Sequence, residues 1–73
     1  MHPPPVVLWR LVHPERGRAR AVVLPGAPLT TLTFFVDDVL DHAENYREET
    51  VALFRAEAVK RSLLTDGWQD PEP

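Results

Sequence analysis

Three histidines, His2, His13 and His42, are the side chains best suited to hold a metal or move a proton near neutral pH. None has a second histidine or a cysteine at ligand spacing. Asp41, His42 and Glu44 come closest to an acid–base group, but neighbouring side chains on a strand point to opposite faces, so the three are expected to diverge. Asp37, Asp38 and Asp41 could hold a cation only in a loop, and their spacing matches no calcium motif. Ser62 is the only serine and lacks a glycine elbow, while Gly17, Gly26 and Gly67 are too scattered for a phosphate loop. The chain has no cysteine, which removes disulfides, thiolate metal sites and cysteine nucleophiles together. No catalytic residue, metal, cofactor or small-molecule substrate is expected, and the reading is non-enzymatic.

The arginines offer a different chemistry. The net charge of -3 divides unevenly along the chain. Up to Val36, Arg10, Arg16, Arg18 and Arg20 face only Glu15, whereas ten acids face four bases beyond that point. Such asymmetry can mark a nucleic-acid patch or complementary self-association, although a solvated hairpin beside a solvated helix is the commoner explanation. Arg10, Arg18 and Arg20 alternate along two candidate strands and are the candidate nucleic-acid contacts.

Elements must position these groups, and 73 residues allow one domain. A domain this small buries only roughly 60% of the surface its unfolded chain exposes, so its stability alone is marginal. Residues 1–5 read as a flexible arm, because three consecutive prolines favour polyproline II. Residues 6–68 read as the folded domain and 69–73 as a disordered acidic tail. Val6 to Val12 is β-branched and aromatic enough for a strand. His13-Pro14-Glu15-Arg16-Gly17 is a hairpin loop, with Pro in a type I turn and Gly supplying the left-handed residue. Arg18 to Leu24 returns as a second strand, Pro25-Gly26-Ala27-Pro28 ends it, and Leu29 to Val36 is the third. The proline pair also has the spacing of a groove-binding ligand, which a tight connection leaves little room to use.

Residues 37–46 admit two readings. Asp37-Asp38 can turn a hairpin into a fourth strand, Val39 to Tyr46; alternatively Val39, Leu40, Ala43 and Tyr46 form a helical stripe capped by Asp38 or Asp41. The strand is preferred because that stripe is out of phase with the helix that follows. Asn45 with Glu48 has capping-box spacing and marks the helix start. The expected fold is α+β: a small antiparallel sheet in the order ββββα, or βββα on the helical reading, with one C-terminal amphipathic helix over one face.

That helix, about Glu48 to Thr65, has two apolar faces at 100° per residue. Ala52, Ala56, Val59 and Leu63 form the core stripe, widened by Leu53 and Leu64; Val51, Phe54 and Ala58 lie nearly opposite. At its end Gly67 takes the C′ position, placing Trp68 on Leu63 in a Schellman motif. In the sheet, Val7, Trp9, Leu11, Ala21, Val23, Leu32 and Phe34 are expected under the helix. Val6, Leu8, Val22, Leu24 and Phe35 then remain on the outer face, where a monomeric open sheet is normally polar.

A Trp-bearing first strand, Gly17 to Ala21 as Gly-Arg-Ala-Arg-Ala, Phe35-Val36-Asp37, Tyr46, Ala52-Leu53, and Leu63-Leu64 followed by Asp66-Gly67-Trp68 together resemble a group of short bacterial proteins of ββββα pattern ending in Gly-Trp. The resemblance implies that fold and no activity. Asp38 stands where the group has a turn glycine. Four strands and a helix also resemble the Whirly-type and coactivator single-strand binders, and three strands and a helix the plant ethylene-response DNA-binding domain, whose arginines lie on the sheet.

The expected function is a cytoplasmic protein-interaction module, a homodimer or the partner of another protein, without membrane association. The candidate interface is Val6, Leu8, Val22, Leu24, Phe35, Val51, Phe54 and Ala58. The alternatives are a nucleic-acid-binding regulator using Arg10, Arg18 and Arg20, and an acidic inhibitor occupying a basic site on a partner.

Overall fold

In the computed structural model, which describes residues 3–71, four antiparallel strands form one open sheet and a single helix follows. The strands are β1 (Val6–His13), β2 (Gly17–Leu24), β3 (Thr30–Val36) and β4 (Val39–Tyr46), and the helix is α1 (Glu49–Thr65). Their spatial order follows the sequence, so β1 and β4 are the edges. The expected arm and tail fall partly outside the described residues, at 1–2 and 72–73. Pro3 to Pro5 are exposed and have no regular structure.

Residues 37–46 resolve to a hairpin and a strand. Asp37 and Asp38 both take positive φ, 51° and 66°, which gives the turn the twist of its flanking strands despite lacking the favoured glycine. Asp37 has tertiary support: its side chain accepts a 2.9 Å bond from Arg18 N–H, and its own N–H donates to Arg18 O at 2.8 Å. Gly17 is required beside it. At φ 104° it is left-handed, and a Cβ there would lie 2.2 Å from Asp37 Oδ1.

The first hairpin forms as the sequence predicts, with an added side-chain bond. His13 Nδ1 accepts from the backbone N–H groups of Glu15 and Arg16 at 3.1 and 3.2 Å, so its ring organises the loop.

The core lies between one sheet face and α1. Trp9, Leu11, Ala19, Ala21, Leu32 and Phe34 supply it from the sheet, Ala52 and Ala56 from the helix, and Trp68 closes it. The alanines on both layers let helix and sheet approach closely. In that contact Trp9 Nε1–H donates to Ala56 O at 2.9 Å, satisfying the buried indole. The Schellman geometry forms as expected: Trp68 N–H donates to Leu63 O at 3.0 Å and Gly67 N–H to Leu64 O at 3.3 Å, with Gly67 at φ 99°.

Several expectations are corrected. The register of β1 shifts between Val7 and Trp9, so Val6 pairs with Val23 and Val7 with Val22. This bulge puts Val7 on the outer face, Val6 on the inner, and Leu8 against the core, where simple alternation predicts the reverse. Leu53 and Leu64 remain exposed, and Val59 and Leu63 are only partly buried, because a straight helix over a small sheet buries a narrower stripe than the sequence offers. Asn45 does not cap α1; it lies in β4, where its Oδ1 accepts from Thr31 Oγ1–H at 2.8 Å, and Glu48 is the N-cap without a side-chain bond. Gln69 is not a free tail. It exchanges two 2.8 Å backbone bonds with Val12, covering that part of the β1 edge.

Candidate functional site

The outer sheet face is built in rows that cross the strands. At one end Leu24 pairs with Thr31 and Thr31 with Asn45; the next row is Val7, Val22, Thr33 and Ala43. The third is Arg10, Arg20, Phe35 and Leu40, and the hairpin end carries Val12 and Arg18. The face therefore has an apolar half and a basic half. Val22 and Thr33 at its centre are already buried by their neighbours, and Thr33 Oγ1–H is satisfied by Val22 O at 2.9 Å. Around them Val7, Leu24 and Leu40 remain exposed, at 39%, 38% and 53%. Of the candidate interface residues, the structure brings Val22, Leu24 and Phe35 together on this face and places Val6 and Leu8 elsewhere. Val7 and Leu40 join them: Val7 through the β1 bulge, which sequence alternation cannot show, and Leu40 through the two-residue turn, which sets it opposite Phe35.

The helix surface is a separate place. Val51, Phe54 and Ala58 are all exposed, Phe54 at 80%. They lie on the far side of α1 from Ala52 and Ala56, so the sheet and helix candidates cannot form one continuous patch.

Arg10, Arg18 and Arg20 do share the outer face, with Arg10 and Arg20 directly opposite in register. Asp38 from the β3–β4 turn reaches in among them. It forms an ion pair with Arg20 and approaches Arg18 at 3.7 Å, while the Arg20 guanidinium sits 4.2 Å above the Phe35 ring centroid.

A polar cluster lies on the opposite, inner side of β4. The β3–β4 register shifts between Phe34 and Phe35, making Asp41 the extra residue. In consequence Asp41, His42 and Glu44 converge where simple alternation has them diverge. His42 Nδ1 is 2.8 Å from Asp41 Oδ2, and Nε2 is 3.4 Å from Glu44 Oε2. The His42 ring thus lies between two carboxylates and stacks on Phe34 at 4.6 Å. Glu44 also accepts from Tyr46 Oη–H at 2.7 Å and from Arg55 Nε–H at 3.2 Å. These bonds, Tyr46 first and Arg55 second, hold the Glu44 carboxyl below its ordinary value, and the same carboxylate raises the Tyr46 phenol. The cluster ties β4 to α1. Among the described residues no three His, Cys, Asp or Glu side chains come together in a way that could hold a metal, and no helix is long and apolar enough to cross a membrane.

Comparison of the chain with protein-family models, with curated proteins and with solved structures finds no match.

Proposed function

We propose that this protein is a non-enzymatic interaction module that self-associates through the apolar half of its outer sheet face. One observation carries the reading: the sheet has a helix on one side only, yet Val7, Val22, Leu24, Phe35 and Leu40 line the other. An antiparallel sheet that faces water normally turns polar side chains to it. A second copy suits the surface because two such faces can stack about 10 Å apart as a sandwich. Arg18 and Asp38 at the rim also give each copy both signs of charge to offer its mate. A domain this small gains stability from association that its own core supplies sparingly. A chain without cysteine fits the reducing cytoplasm, where we place its action.

The nucleic-acid reading has weaker support, since Asp38 offsets two of the three arginines and a nucleic-acid face calls for a strong basic footprint. The helix acids offer no arrangement that favours the inhibitor reading.

Light scattering at tens of micromolar tests the proposal. The unmodified protein should be a dimer, Leu24→Glu a folded monomer because a charge in a dry interface is costly, and Phe54→Glu still a dimer. A monomeric unmodified protein would sink the proposal, and a dimer broken by Phe54→Glu alone would transfer the interface to the helix.

A further inference from the structure

The basic half of the outer face holds a cleft of about 150 Å³, walled by Arg10, Arg18 and Arg20, with Asp38 at its side and Val12 and Pro71 in its lining. In a chain of net charge -3 this concentration of arginines is local, not part of a generally basic surface. Arg10 and Arg20 face each other across neighbouring strands, an arrangement that destabilises a sheet unless something offsets the charge. Asp38 offsets Arg20 and Arg18. Arg10 has no acidic partner among the described residues.

The β3–β4 turn places Asp38 at the cleft. Position 38 takes φ 66°, where glycine is the favoured residue, and an aspartate occupies it. That aspartate pairs with Arg18 and Arg20, which line the cleft together with Arg10. The Phe35 ring, 4.2 Å beneath Arg20, fixes that side chain further.

We propose that this cleft binds one phosphate-class anion. Three guanidinium forks less one carboxylate leave a surplus of positive charge, and arginine matches phosphate oxygens two at a time. The volume admits a phosphate or diphosphate group; whole small-molecule ligands occupy pockets of roughly 300–1,000 Å³. The phosphate can belong to a small phosphorylated compound or to a nucleic-acid backbone, and the site is assigned to the first. It adjoins the self-association surface, with Phe35, Arg18 and Asp38 at their common border, while Leu24 lies at the far end of the face.

Calorimetric titration with sodium pyrophosphate at low ionic strength tests the assignment. One equivalent should bind, Arg10→Ala should weaken it by about tenfold or more, Arg10→Lys should restore part of the loss, and Lys60→Ala should leave it unchanged. Leu24→Glu should keep pyrophosphate binding while losing self-association. No binding by the unmodified protein, or equal affinity in Arg10→Ala, would overturn the proposal. Loss of pyrophosphate binding in a folded Leu24→Glu variant would also overturn it, by denying the site its independence. A short single-stranded oligonucleotide forms the last arm: binding about tenfold tighter than pyrophosphate, with a steep salt dependence, would replace the single-anion site with a nucleic-acid track.

Discussion

Glu44 is the residue on which β4 and α1 meet, and its environment fixes how acid acts on this protein. Tyr46 donates to one of its oxygens and Arg55 reaches both, at 3.2 and 3.4 Å, so the ionised carboxylate is favoured in the folded state. A carboxyl whose folded value lies below its unfolded one contributes stability that is fully present above the ordinary value of 4.5 and is lost as pH falls through the lowered value. The Glu44→Gln variant should therefore be less stable than the unmodified protein near neutrality and converge with it in acid. Urea unfolding between pH 7 and pH 3 checks this; a gap that stays constant to the lowest pH would show that the ionisation of Glu44 contributes nothing. The effect is modest, since the groups are partly solvated and exposed ion pairs are worth roughly 0–1 kcal/mol.

At the scale of elements, α1 docks through its alanines. Ala52 and Ala56 are 0% and 2% exposed, and Ala56 O accepts the Trp9 indole bond. The Ala56→Arg variant must bury a charge in that contact or lift the helix from the sheet, so it should fail to fold cooperatively. By contrast Leu63, on the sequence pattern a core residue of equal rank, is only partly buried. Its truncation to alanine should cost less than the roughly 2–5 kcal/mol of a fully buried leucine. Leu32, with 0% exposure, is the reference for the full cost. Thermal melts of Leu63→Ala beside Leu32→Ala check the order; equal losses would mean that the helix is packed more deeply along its C-terminal half.

For the whole molecule, the consequence of a one-sided core is that stability and association are linked. If two copies cover each other's outer faces, mass action stabilises the folded dimer, and the melting temperature should rise with protein concentration. Leu24→Glu should remove that dependence without removing the transition itself. Scanning calorimetry over a hundredfold concentration range reads both, and a concentration-independent melt of the unmodified protein would leave the outer face without its proposed cover.

Taken alone, the sequence left residues 37–46 between strand and helix but determined the other elements, the first hairpin, the Gly67–Trp68 closure and the sharing of one face by Arg10, Arg18 and Arg20. All of these rest on local chemistry: turn residues with positive φ, alternation along a strand, and capping within a few positions. Tertiary structure decided what alternation cannot see. Each bulge, at Leu8 in β1 and at Asp41 in β4, adds one residue to one strand, which reverses every face assignment on its far side. That is why Val7 joins the outer face in place of Val6, and why Asp41, His42 and Glu44 converge. The helix pattern likewise offered a wider apolar stripe than the sheet covers, because the width of a buried stripe is set by the surface it meets. The pairing of Gln69 with Val12 and the reach of Asp38 to Arg18 and Arg20 join positions distant in the chain, and only the folded arrangement brings them together.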